Sequence, residues 1–199
     1  MSAQGVDATP VQQITDSADV GFGTFYNYVA SKEALARDVL DCVIHNMGER
    51  NDLATSARGE SDPVRIVANS VRFVLRETTH NPMWHWWFAR VEVLADRMRV
   101  GFGPFGLRDI ADAVRAGSYH IIGDDHVLAW SQLVWLMAGT GKDIVDGTIP
   151  AHSEAAAVEA ILRVMGVEHA AAQAACSGSI PVAPDLQIDF SFEITDVVP

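Results

Sequence analysis

The sequence predicts an all-α fold, in which an N-terminal helix-turn-helix precedes a larger helical bundle and a short C-terminal tail. Apolar residues recur at helical spacing as far as about residue 176. Turn signals at Val20-Gly21 and at 58–63 separate short helices at the front from longer ones behind. Beyond residue 176, apolar and polar residues alternate, which is typical of a β-strand. The alternating apolar residues are Leu186, Ile188, Phe190, Phe192 and Ile194.

Three helices are expected in the front domain, residues 1–45. In the first of these helices, Pro10 can occupy the first turn, and Thr9 can cap the N-terminus. Val20-Gly21 forms the turn to the second helix, and Ser31 caps the third. The predicted helices cover about residues 10–17, about 22–29, and 32 into the fifties.

The body, residues 46–176, is expected to be helical throughout. Asp62-Pro63 and Asn81-Pro82 each start a helix, and Gly101 to Gly106 form a glycine-rich loop. The tail, residues 177–199, lies either free or along the body or a partner chain. The predicted body helices are 63–79, 82–99, one that ends near 116, 124–146 and 153–175.

The helix over 124–146 is apolar on nearly all sides, so it must be buried on all sides. Val127, Trp130, Val134 and Met137 share one face, and Leu128, Trp135 and Leu136 cover much of the other. A chain this small cannot cover both faces. The helix over 153–175 is similarly apolar, so the two are expected to form a four-helix interface with a second copy of the chain.

Composition and motifs argue against several classes of function. The sequence has no membrane span or signal peptide, so a cytoplasmic protein is expected. Neither the two cysteines nor the seven scattered histidines form a metal or catalytic motif, and we predict no enzyme, metal or cofactor. The net charge of −12 argues against general nucleic-acid binding but not against a local site.

The second front helix has one apolar and one polar face. Phe25 and Val29 share the apolar side, whereas Gly23, Thr24 and Asn27 lie opposite. Tyrosine and threonine hydroxyls suit phosphate oxygens, and asparagine can read adenine in the major groove. This arrangement is what a recognition helix requires.

These residues resemble the DNA-binding motif of the tetracycline-repressor (TetR) family over about residues 5–44. The similarity rests on Ala8-Thr9, Val11, Ile14, Ala18, the run from Val20 to Tyr28, and Ser31 to Leu35. It implies that Phe22, Gly23, Thr24 and Asn27 approach bases or nearby backbone. It also implies that Thr9, Tyr26, Tyr28 and Lys32 hold phosphates.

The front domain departs from the family pattern in two ways. A first helix with basic residues usually precedes the position of Gly5, and Asp19 stands where glycine is usual. Residues 1–50 also contain seven acidic residues against Lys32, Arg37 and Arg50. Either the true start lies upstream or the DNA-binding domain is weakened.

Three of the five tryptophans fall within Trp84 to Trp87, which favours a pocket for a flat or apolar ligand. The resemblance implies a ligand cavity between the middle helices. The candidate lining residues are Met83, Trp84, Trp87, Val91, Met98, Phe102, Phe105, Trp130 and Met137.

The sequence thus predicts a bacterial homodimeric regulator, expected to be a repressor, that binds pseudo-palindromic operator DNA. A small hydrophobic or aromatic effector would release it. The alternative is a dimeric ligand-binding protein of the same fold that has lost productive DNA binding.

Overall fold

The computed structural model of the protein describes residues 5–190, which form eleven α-helices. The helices are α1 (Gly5–Ala8), α2 (Val11–Ser17), α3 (Phe22–Tyr28), α4 (Lys32–Ala54), α5 (Pro63–His80), α6 (His85–Phe88), α7 (Val91–Gly101), α8 (Gly103–Arg115), α9 (His126–Val145), α10 (Glu154–Val164) and α11 (His169–Cys176).

The front helices form the predicted helix-turn-helix. The Ser31 hydroxyl accepts a hydrogen bond from the Ala34 backbone N–H and so caps α4, as expected. Thr9 does not cap α2: the cap position is Pro10, and no side chain caps that helix. Since α4 continues without a break past residue 45, it joins the front helices rigidly to the body.

The body packs around α5, which contacts α8, α9, α10 and α11. Val67, Val71, Val74 and Leu75 of α5 are buried in the common core, as the helical spacing predicts. The N-terminal end of α5 is capped by the Asp62 carboxylate, which accepts a hydrogen bond from the Val64 backbone N–H. Within residues 5–190, no helix is long and apolar enough to cross a membrane.

Two predicted helices are interrupted. The segment expected to be helical over 82–99 breaks at Arg90, whose φ of −131° and ψ of 53° lie outside the helical range. The helix expected over 153–175 ends at Val164, and Gly166 adopts a φ of 78° before α11 begins. A Cβ at position 166 would also collide with the His120 backbone, so both conformation and space call for glycine there.

The predicted loop over Gly101 to Gly106 is wrong, because α7 ends at Gly101 and α8 begins at Gly103. The glycines serve close packing instead. A Cβ at Gly101 would lie 2.5 Å from Ile44, and one at Gly106 would collide with the Trp130 ring. Glycine therefore marks sites where a large neighbouring side chain approaches the helix backbone.

Residues 177–190 of the tail lie along the body, as one of the two interpretations of its pattern predicts. Arg72 donates to the Gly178 carbonyl, Arg50 to the Pro184 carbonyl, and Asn46 to the carbonyls of Leu186 and Gln187. Ile180, Ala183 and Ile188 pack on the core. Residues 177–190 form no strand, and the predicted alternation at Phe192 and Ile194 lies outside the described residues.

Candidate DNA-binding surface and effector cavity

The outer face of α3 is exposed and rich in hydrogen-bonding groups. Phe25 anchors the helix with only 6% of its surface exposed, whereas Tyr28 is 58% exposed. Tyr26 is also exposed, and its ring packs edge-on against the rings of both Phe22 and Phe25. Gly23 and Asn27 are exposed as well, and Thr24 is half-buried. The structure thus brings six of the eight predicted DNA contacts together on α3.

The other two predicted contacts, Thr9 and Lys32, lie outside α3. Thr9 is only 2% exposed, and its hydroxyl donates to the Gly5 carbonyl at 2.8 Å. In the described conformation this hydroxyl is therefore engaged within the protein, and its phosphate contact stays a prediction. The Lys32 ammonium donates to the carbonyls of Asp7 and Thr9, each at 3.1 Å, and is half-buried.

The turn between α2 and α3 contains Asp19, which stands where the family usually has glycine. Asp19 adopts a φ of 53°, in the left-handed region that glycine enters without steric cost. Aspartate tolerates this region better than most residues, but still at a cost. The conformation is thus the one that a glycine would serve, and the chain places a negative charge there.

A cavity lies between α4, α5, α8 and α9 in the middle of the body. It contains about 50 Å³ of space that the centre of a water-sized sphere can occupy. Because one water needs roughly 10–15 Å³ by this measure, the cavity has room for several waters. The walls are mostly apolar and aromatic. The lining residues are Gly48, Asn51, Val67, Ser70, Val71, Val74, Phe102, Phe105, Gly106, Asp109, Ile110, Trp130, Leu133 and Met137.

Four of the nine predicted ligand residues line the cavity: Phe102, Phe105, Trp130 and Met137. The other five lie elsewhere in the body, outside the cavity lining. Trp84, Trp87 and Met98 are buried in the apolar core, which their helical spacing allows equally well. Met83 and Val91 are partly buried and pack against that core.

Sequence reasoning missed the polar members of the lining. Asn51 and Ser70 interrupt the apolar faces of α4 and α5, and the Asn51 amide donates to the Ser70 hydroxyl at 2.8 Å. Asp109 of α8 is 8% exposed and bonds to Arg108. Burial raises the pKa of the Asp109 carboxyl, against the lowering effect of Arg108. A polar residue within an apolar helix face was the sequence signal that could have identified these lining residues.

One helix connects this cavity to the front helices. It is α4, which begins at Lys32 shortly after α3 and carries Gly48 and Asn51 in the cavity wall. A separate contact, outside the cavity, joins α1 to α6 and to Arg90, which lies between α6 and α7. Arg90 pairs with Asp7 at 3.0 Å, and its guanidinium stacks 3.7 Å from the centre of the Trp86 ring.

The outer face of α9 carries large apolar side chains that no described residue covers. Trp135 is 44% exposed, Leu128 45% and Leu136 39%. Val134 and Met137 on the opposite face are buried, as predicted. Val127 was predicted to lie with them but is 68% exposed. Val164 of α10, a helix that contacts α9, is 55% exposed.

Comparison with known proteins gives a consistent result. Residues 1–39 match "Bacterial regulatory proteins, tetR family", and residues 62–177 match "Tetracyclin repressor-like, C-terminal domain". A search of curated proteins found no match.

Two solved structures of RolR resemble the whole fold. The ligand-free structure is 25% identical with a TM-score of 0.80, covering 92% of this chain and 94% of that one. The complex with resorcinol is 24% identical with a TM-score of 0.83, covering 92% and 90%. With its helix-turn-helix joined by α4 to a cavity-bearing helical body, the chain belongs to the TetR family and is a ligand-responsive, DNA-binding transcription regulator.

Proposed function

We propose that the protein is a homodimeric repressor whose ligand-free form binds pseudo-palindromic operator DNA and is released by a small aromatic effector. The observation that carries this proposal is the continuity of α4. One end of this helix starts next to α3, and its far half forms a wall of the cavity. A ligand that displaces this wall moves the recognition helix with it.

The apolar surface of α9 and α10 supports the dimer. Both helices expose large apolar side chains of the kind that homodimers bury, Trp135 and Leu136 on α9 and Val164 on α10. A two-fold axis there would repeat α3 on both protomers. Such a dimer reads two half-sites about 34–36 Å apart, or a multiple of that distance.

The cavity supports a flat, mainly apolar effector. Phe102, Phe105 and Trp130 supply aromatic walls, and the polar groups of the lining are few. RolR, which shares the fold, was solved with resorcinol, and we extend a ligand of that size and shape to this chain. Effector binding then shifts the population between two spacings of the recognition helices.

The test is selection of bound sequences from a random double-stranded DNA pool by the purified protein at low salt. The proposal expects enrichment of an inverted repeat and a gel shift on the enriched DNA. Recovery of no sequence preference would contradict the repressor function.

A second candidate is a dimeric ligand-binding protein without productive DNA binding. It is favoured by the bonding of Lys32 to backbone carbonyls and by the Asp19 charge in the turn. The two candidates differ in the selection experiment, since the second predicts cavity binding of aromatic compounds but no enriched inverted repeat.

A further inference from the structure

The cavity lining contains two hydrogen-bond acceptors whose geometry specifies the effector's chemistry. We propose that the effector is a neutral aromatic compound with two hydroxyl groups, one donating to Asn51 Oδ1 and the other to the Asp109 carboxylate. This inference rests on the proposed function, because it concerns the same cavity.

Asn51 is the first of these acceptors. Its side chain is at least nine-tenths buried, and no donor among the described residues reaches its Oδ1. A buried carbonyl oxygen without a partner costs about 1–3 kcal/mol. A ligand hydroxyl that donates to this oxygen would recover that free energy.

The orientation of the Asn51 amide follows from its neighbour. The Ser70 hydroxyl donates its proton to the Ile66 carbonyl at 2.8 Å, so towards Asn51 it can only accept. The amide nitrogen must therefore face Ser70, as the 2.8 Å contact shows. This leaves Oδ1 as the group available to a ligand.

Asp109 is the second acceptor. Arg108 donates to its Oδ1 from Nε at 2.9 Å and from Nη2 at 2.8 Å. The same Nη2 donates to Asp52, the α4 residue next to Asn51, at 2.6 Å. Arg108 is thus shared by the two carboxylates and offsets only part of their charge, while the second oxygen of Asp109 remains able to accept.

Two donors of the lining are already engaged within the protein, so a ligand cannot rely on them. The Trp130 ring N–H donates to the Arg99 carbonyl at 3.0 Å, and the Ser70 hydroxyl is engaged as described. A carboxylate ligand would meet Asp109 without a free cation to receive it. Hydroxyl donors on a ring that stacks against Phe105 and Trp130 satisfy both the polar and the apolar parts of the wall.

The test measures binding of three 1,3-disubstituted benzenes to the unmodified protein by calorimetry. Resorcinol has two donors, 3-methoxyphenol has one, and 1,3-dimethoxybenzene has none. We expect each methylation to weaken binding by about tenfold, the effect of one lost hydrogen bond. Equal affinity for all three would overturn the inference and leave the cavity as an effector site. Binding of none would overturn both the inference and the aromatic effector of the proposed function.

A variant pair locates the effect. Asn51→Leu retains the side-chain shape but removes the acceptor, so resorcinol affinity should fall about tenfold while 1,3-dimethoxybenzene binds as before or better. Asn46→Leu is the matched control: it is another buried α4 asparagine, bonded to the tail and absent from the lining. An equal loss for both compounds in Asn51→Leu would assign Asn51 a structural role and overturn its part in recognition. The compound series on the unmodified protein decides independently of whether either variant folds.

Discussion

Asp19 has a left-handed backbone conformation, and its side chain places a negative charge in the turn before the recognition helix. Asp19→Gly should therefore have two effects. The free energy of unfolding should rise by about 0.5–1 kcal/mol as the strained φ is relieved. DNA affinity should rise at low salt, and the gain should fade as salt screens the charge.

Asp124→Gly is the matched control, because Asp124 has the same φ of 53° but precedes α9, far along the chain from α3. Thermal unfolding should show a similar stabilisation, while anisotropy of labelled DNA should show no gain. A gain in DNA affinity of the same size in both variants would mean that Asp19 has no local electrostatic role.

Tyr28 tests the phosphate contacts. If its hydroxyl holds a phosphate, Tyr28→Phe should weaken binding to selected and random DNA by the same factor of about ten. The buried Tyr119, whose hydroxyl has no partner among the described residues, gives the control Tyr119→Phe. Unchanged DNA affinity in Tyr28→Phe would remove that hydroxyl from the interface.

At single positions, sequence reasoning identified large aromatic walls but not the polar groups between them. Trp130 and Phe105 line the cavity, as large rings beside apolar helices often do, and their contact with a ligand stays a prediction. Trp84 and Trp87 obey the same rule yet lie in the core, since composition does not distinguish a filled space from an unfilled one. Asn51 and Asp109 were missed because their role depends on how α4 and α8 face each other.

Among the helices, α5 and α10 are joined by a buried ion pair. Arg72, which is 4% exposed, donates to Glu154 at 2.8 Å, and Arg76 bonds to the other oxygen of that carboxylate. Arg72→Met leaves Glu154 buried with one partner, and should lower the free energy of unfolding by about 3 kcal/mol.

The matched control for that substitution lies on the same helix. Arg65 is half-exposed, and its guanidinium is 3.9 Å from Glu60. Arg65→Met should change the free energy of unfolding by less than about 0.5 kcal/mol. Chemical denaturation of both variants measures the difference, and similar values would contradict a structural role for the buried pair.

Helix positions followed well from apolar spacing and caps, and helix interruptions less well. Ser31 and Pro63 start helices where expected, because caps and proline act locally. Gly101 and Gly106 were misassigned to a loop because a glycine required by a neighbouring ring is indistinguishable in sequence from one required by a turn. The break at Arg90 has no comparable local signal.

For the whole molecule, the proposed dimer depends on the apolar surface of α9. Trp135→Glu puts a charge on that surface, and the dissociation constant of the dimer should rise at least about thirtyfold. Operator affinity should fall with it, because one protomer reads only one half-site. Light scattering coupled to size exclusion measures the first effect.

Val100→Glu supplies the control, since Val100 is 72% exposed on α7, outside the proposed interface. It should remain dimeric and bind DNA normally. A dimeric Trp135→Glu variant with full DNA affinity would place the interface elsewhere on the molecule.

The central claim is that occupancy of the cavity and occupancy of the operator exclude each other. The most direct measurement is fluorescence anisotropy of a selected operator duplex, titrated with the dimer at several fixed resorcinol concentrations. We predict that DNA affinity falls progressively as resorcinol rises, and that Asn51→Leu shifts this response to higher resorcinol concentrations. An operator affinity that stays constant while calorimetry shows the cavity saturated would contradict the coupling between the two sites.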